Sequence, residues 1–300
     1  MQELRSFFSQ HEDLTQVILY AGVITSLWFA EMIVSLDGIK TKWKHSTVNT
    51  LFIFTALPIQ LVLTTFVVMI SGWANAHHWG LINFIPFHTN IWVYYIAMFM
   101  MMDFCEYVYH VTMHKVEALW KFHLVHHSDL KVDVSTTIRE HPCETAIRTS
   151  FLMLWVFICG PAIGVLILRQ TFQSFSNIVA HTEFRLPTRV NKIVSMVFIT
   201  PNLHHVHHHY QLPYTDCNYG DVLSIWDRLF GTFGSLEKEK TVFGIDTHMD
   251  ENLNGKFVNV LKIPFQKFDH PQRYGTPQEK DMHRAKEIQQ TTEIAQEEPA

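Results

Sequence analysis

Long apolar runs separated by short polar ones set the pattern of this chain. Leu14 to Leu36 carries no charge except Glu31, and roughly 20 apolar residues suffice to cross a hydrocarbon core. Glu31 reads as a carboxylate near a helix end, reaching for the interface. Thr50 to Ser71 is a second such run, in which Pro58 is tolerable as a kink. Ile91 to about Tyr109 is a third. Ser150 to Leu168 is apolar again, broken at Gly160–Pro161, a turn signal. Thr145–Cys159 and Pro161–Ala180 therefore read as the arms of a hairpin dipping into or through the bilayer. The first arm is short for a full crossing at 1.5 Å per residue. The pattern predicts an all-α, polytopic membrane helix bundle. From roughly Thr241 the chain turns polar, and 275–300 is charged, Gln-rich and expected to be loosely ordered.

Charge gives the bundle a direction. Lys40, Lys42 and Lys44 follow the first run, whereas Gly72 to Asn90 holds no Lys or Arg. The positive-inside rule puts the lysine loop in the cytoplasm and the 72–90 loop on the far side. Trp73, Trp79 and Trp92 suit an interfacial belt there. Only 17% of residues are charged, against about a quarter in a soluble protein. The formal net charge of -5 argues against a nucleic-acid partner. Four scattered cysteines, Cys105, Cys143, Cys159 and Cys217, form no CxxC, so neither a disulfide framework nor a thiolate zinc site is indicated. The first apolar run is too long for a cleavable signal peptide.

The chemistry lies in the histidines. His110 and His114 are four apart, and His123, His126 and His127 follow. His204, His205, His207, His208 and His209 form a second cluster. Residues three or four apart share a helix face, so each set can grip one ion. Eight imidazoles in two HxxHH triplets and one HxxxH pair suffice for two metal ions. Neutral imidazole suits iron, zinc, copper and nickel. Two closed four-ligand sites would suit structural zinc, although zinc-stabilised folds are usually small domains short of core. The second cluster must reach the first, so the chain between them must return to the side it left. Parity thus requires the hairpin. His205 and His209 fit surface or supporting positions.

The motifs H110-V-T-M-H114, H123-L-V-H126-H127-S128 and H204-H-V-H207-H208 resemble those of the membrane fatty acid hydroxylase/sterol desaturase superfamily. So do Ser135-Thr136, Arg139-Glu-His141-Pro142, His181-Thr182-Glu183, Asn218-Tyr219-Gly220 and Trp226-Asp227-Arg228. The likeness covers about 95 to 235. It implies a membrane-embedded helical body with a cytoplasmic histidine-rich metal-binding cap. It also implies two non-haem iron ions with O2 as co-substrate. Carried over by position, the ligands are His110, His114, His123, His126, His127, His204, His207 and His208, with His181 as a further ligand. Arg185 stands where some relatives have another histidine.

The activity that the resemblance implies is hydroxylation or desaturation of a C–H position of a lipid, which calls for iron rather than zinc because zinc has no redox chemistry. No flavin or haem fingerprint is evident, so electrons would come from a separate cytochrome b5-, ferredoxin- or reductase-type donor. Asp103, Glu106 and Asp227 are candidates to accept imidazole N–H groups, though Asp227 equally fits an ion pair with Arg228. Arg139 and Arg148 fit a lipid head-group contact, and equally a positive-inside role. The expected organisation is membrane spans over 1–94, a catalytic region over 95–240 with the hairpin near 145–180, and a polar extension over 241–300. The metal site and the C-terminus are expected on the cytoplasmic side of a multi-pass membrane protein.

Overall fold

The computed structural model describes residues 39–86 and 90–267, together with Gly22, Thr25, Ser26 and Glu31. Most of the expected 14–36 span, and the tail beyond 267, lie outside the described residues. What is described is mostly helical, with no strand among the described residues beyond two isolated bridges, Phe198 with Leu223 and His209 with Phe243.

Helix α1 runs unbroken from Ile39 to Ala76, with Pro58 inside it. At 1.5 Å per residue its 38 residues reach about 57 Å, well beyond a hydrocarbon core. The lysines expected in a loop lie in its first turns instead, and those turns extend into the cap. Helix α2 (Ile91–Lys115) starts at Asn90, whose side chain accepts the N–H groups of Trp92 and Val93. Helix α3 (Glu117–His127) follows after one residue. Helix α4 (Pro142–Cys159) ends at Gly160, whose φ of 71° places it in the left-handed region. Helix α5 (Ile163–Ala180) returns. Among the described helices, α1, α2 and α4 are long and apolar enough to cross a membrane.

The hairpin of α4 and α5 reaches the far end of α1. Ser71 Oγ and Asn75 Nδ2 donate to Pro161 O at 2.8 and 3.0 Å, and Trp79 Nε1 donates to Phe157 O at 2.9 Å. A Cβ on Gly160 would lie 2.0 Å from Trp79 O, so sterics as well as φ demand glycine there. The short first arm therefore runs the depth of the bundle alongside α1 rather than stopping partway. Met98, Met102, Val156 and Val165 form the buried centre of this layer. Phe54, Leu61, Met69, Trp92 and Ile96 stay exposed on its outside, the signature of a face that meets apolar surroundings.

The cap is built from α3, the 128–141 loop and the region after α5. That region holds α6 (Thr188–Val194), α7 (Pro201–His207) and α8 (Ile225–Phe230). Residues 241–267 do not form a detached polar extension. Ile245, Val260 and Ile263 are buried with Trp120, Leu124, Val125 and Phe52. Apolar residues spaced too widely to show a period give this segment its anchor. Glu31 also departs from expectation: it is fully buried and accepts the backbone N–H groups of Val134 and Glu183. Lys42 sits among Glu31, Asp133 and Glu183 at 3.3, 3.8 and 2.7 Å, so an ammonium already balances that acidic group.

Candidate metal centre

The structure gathers all nine sequence-predicted histidines into two adjoining groups. His110, His114, His123, His127 and His207 form one, and His126, His181, His204 and His208 the other. Within each, one nitrogen from every ring lies within 4.8 Å of all the rest. His110 and His114 occupy successive turns of α2, and α3 brings its three rings from the side. Thr200 caps α7 by accepting Leu203 N–H, and Pro201 occupies its first turn, a position that tolerates a missing N–H. This fixed start aims His204 and His207 inward. His181 follows the last turn of α5. The His127 and His208 rings stack at 4.5 Å and join the groups.

Hydrogen bonds on the outside fix which nitrogen faces in. Nδ1 donates to a backbone carbonyl in four rings: His110 to Tyr219 at 2.9 Å, His126 to Arg139 at 3.3 Å, His181 to Asn177 at 2.7 Å and His207 to Cys217 at 2.7 Å. His123 Nδ1 pairs with Glu144 Oε1 at 2.5 Å, and His114 Nδ1 with Asp216 Oδ1 at 3.3 Å. A carbonyl oxygen has no proton to give, so Nδ1 carries the hydrogen and Nε2 is left as a lone pair. These Nε2 atoms face one another. His110 and His123 approach to 3.2 Å, as do His126 and His181, while His181 and His204 approach to 2.9 Å. His114 Nε2, His207 Nε2 and both nitrogens of His127 are buried without a partner.

Burial also keeps the rings neutral. It holds His126, His127, His204, His207 and His208 well below the usual imidazole range, and the facing imidazoles push the same way. Burial lowers His123 to about 3 and His181 to about 4. Neutral rings with opposed lone pairs repel unless a cation lies between them, and neutral imidazole is the form that binds metal. The residues present therefore fit two metal ions, one with up to five nitrogens and one with four.

Other expected residues sit elsewhere. Asp103 accepts Trp226 Nε1 at 2.8 Å, and Glu106 pairs with Arg169 at 2.7 Å. Asp227 accepts the N–H groups of Tyr219 and Gly220 and the Thr232 hydroxyl. It thereby holds the segment whose carbonyl receives His110, one step further out than expected. Glu144 and Asp216 occupy the anticipated positions. Glu144 had a signal: it opens α4 one turn from the motif histidine at 141, and its carboxylate projects back over α3. Asp216, at the end of the short 3-10 turn Tyr214–Asp216, had none.

Arg139 is buried. Its Nε donates to Val125 O, and its terminal nitrogens donate to Asn49 Oδ1 and Ser128 Oγ, so no lipid head group reaches it. Arg148 pairs with Glu140 at 2.7 Å and lines the space beside the histidines. His205 faces away: Arg185 Nε donates to its Nδ1, and its Nε2 donates to Thr182 O, each at 2.9 Å. His209 Nδ1 accepts Val242 N–H at 3.2 Å on the same outer side.

Two spaces meet at the centre. A pocket of about 80 Å³ touches His110, His123, His126, His181 and His204. A chamber of about 430 Å³ lies between α1, α4 and α5 and shares Glu106, Thr137, Glu140, Arg148, Gln173 and Asn177 with it.

A helical body with apolar helices of membrane-crossing length, closed by two groups of buried neutral imidazoles, points to a histidine-rich membrane protein whose rings could hold metal. Residues 95–232 match the family described as fatty acid hydroxylase, which supports the likeness of this region to the membrane fatty acid hydroxylase/sterol desaturase superfamily. It is 34% identical over 163 residues to human alkylglycerol monooxygenase, covering 52% of this chain and 34% of that protein. It is 30% identical over 131 residues to ornithine lipid hydroxylase OlsE of Rhizobium tropici, covering 44% and 39%. A cholesterol 25-hydroxylase-like protein of Danio rerio is 26% identical over 137 residues, covering 45% and 53%. The chain thus spans about a third of the length of the first two relatives. No solved structure is significantly similar.

If Glu144 orients His123, then Glu144→Gln should weaken metal binding about 10- to 100-fold, the range for an outer partner of a ligating imidazole. Metal retained per chain against a graded chelator measures this. Asp103→Asn, with no imidazole contact, should leave the titration unchanged. Equal behaviour of the two variants would refute the assignment.

Proposed function

We propose that this chain is an O2-dependent, non-haem di-iron hydroxylase of a membrane lipid, drawing electrons from a separate cytochrome b5-, ferredoxin- or reductase-type donor. The observation that carries the reading is the set of opposed Nε2 lone pairs, with Nδ1 protons fixed by carbonyl acceptors. The nine histidines would hold the ions. When bound and reduced, an iron pair supplies the O2 activation that an unactivated C–H bond requires. The protein keeps its imidazoles neutral, fixes the tautomers of His110, His126, His181 and His207 through backbone carbonyls and walls the pocket against bulk water. The adjoining chamber gives a lipid a route from the bilayer to the pocket. Hydroxylation is favoured over desaturation because the named relatives are hydroxylases and a monooxygenase. The catalytic region would be 95–240 with its hairpin in the membrane. The lysine-bearing start of α1 supports a cytoplasmic cap.

Structural zinc is the competing reading. Zinc in structural sites takes four ligands, whereas five nitrogens surround the first position, beside a space open to substrate. The test is metal content together with oxygen tracing in the purified full chain. The expected result is about two iron ions per chain and one atom of ¹⁸O from labelled O2 in a host lipid. Turnover should vanish on chelation and return with Fe(II) but not Zn(II). Tightly bound zinc with no iron uptake would overturn the reading.

A further inference from the structure

The chamber beside the imidazole pocket has a mostly apolar wall with polar and charged side chains set into it. Ile53, Leu57 and Leu152 supply apolar wall, but Gln60, Gln170 and Gln173 also line it, with the Glu106–Arg169 and Glu140–Arg148 pairs. A tunnel for an alkyl chain would be walled by aliphatic side chains. Two groups here also lack partners. Arg169 is 3% exposed and its Nε is buried and unpaired, as is Thr137 Oγ1. Laying a methylene chain against them would leave both unsatisfied, at a cost comparable to a lost hydrogen bond each. An occupant with hydroxyl, carbonyl or amide groups would satisfy them.

Charge narrows the occupant further. Each guanidinium already holds a carboxylate at 2.7 Å. With two arginines facing two glutamates the lining is already charge-balanced, so a phosphate would bring negative charge that no further cation in the chamber offsets. Leu57 and Gln170 are exposed on α1 and α5 at the chamber's edge, which leaves a lateral way out for an apolar tail.

Resting on the hydroxylase reading for what lies next door, we infer that this chamber is a head-group site for an uncharged, hydroxyl- or amide-bearing lipid. The lipid enters head first with its tail left in the bilayer. The carbon presented to the imidazole pocket then lies within a few bonds of the head, and Thr137, Gln173 and Arg169 select the head.

Binding tests this without turnover. The full chain in nanodiscs is titrated with hexadecane-1,2-diol, hexadecanamide, hexadecyl phosphate and hexadecane, each displacing a fluorescent lipid. The diol and the amide should bind at least about tenfold tighter than the phosphate or the hydrocarbon, a step well above the noise of displacement. Thr137→Val and Gln173→Leu should each remove most of that preference while leaving hexadecane unchanged. Hexadecane binding as tightly as the diol, or the phosphate binding tightest, overturns the inference even if the enzyme turns over. Head preference without any oxygen incorporation would keep the head-group site and defeat the hydroxylase reading instead.

Discussion

His204→Ala is expected to lower lipid hydroxylation by well over the roughly 100-fold upper range for outer partners of a metal ligand, and to reduce bound metal from about two ions per chain toward one. His204 belongs to the four-nitrogen group, and its Nε2 lies 2.9 Å from His181 Nε2 and 3.2 Å from His208 Nε2. Its removal leaves three imidazoles at that position and does not touch the five-nitrogen group. The paired control is His205→Ala, one residue along the same helix. His205 is held by Arg185 and Thr182 on the outer side, so this variant should retain its full metal content. Metal analysis and turnover of both variants decide the matter. Two tightly held ions and undiminished turnover in His204→Ala would remove that histidine from the centre.

That contrast also shows what could be read from the residues alone. The HxxHH spacing separates His204, His207 and His208 from His205, because each residue turns about 100° around a helix and the neighbour of an inward ring points elsewhere. Ligand positions are therefore periodic and legible. The two-arm hairpin was legible for a similar reason, since Gly160–Pro161 interrupts an apolar run and both histidine clusters must share one side. Partners outside the rings carry no such period. Asp103 is close to His110 in sequence but turns toward Trp226, whereas Glu106, one turn before His110 on the same face, pairs its carboxylate with Arg169 instead of an imidazole. Glu144, Asp216 and the backbone carbonyls come from other segments, and only the fold brings them near. Backbone acceptors leave no mark in the sequence at all, because any residue at those positions supplies the same oxygen. The continuity of α1 was hidden by its composition: lysines that look like a loop are the polar start of a helix that begins within the cap.

Arg139→Met is expected to destabilise the protein by about 3–5 kcal/mol, the usual cost of removing one partner from a buried charged network. The guanidinium is tied to Val125 O, Asn49 and Ser128, while Asn49 also donates to Asp129 Oδ2 at 3.0 Å. Burial alone would raise the Asp129 carboxyl, but His45 and Arg139 more than offset this and hold it well below the usual range. His45 Nε2 lies 2.7 Å from the same carboxylate, so the network joins α1 to the end of α3 and the 128–141 loop. Without the arginine, Asp129 keeps a buried negative charge with less to balance it. The Arg139 carbonyl also receives His126 Nδ1, so a shift of this loop loosens a histidine of the four-nitrogen group. Thermal unfolding in detergent and metal retention should fall together in Arg139→Met. Adding Asp129→Asn should recover part of the lost stability, because it removes the charge left uncompensated; a double-mutant cycle measures that coupling. A head-group role for Arg139 predicts the opposite pattern, with unchanged unfolding and a raised KM for lipid. That result would mean the buried network does not depend on this cation.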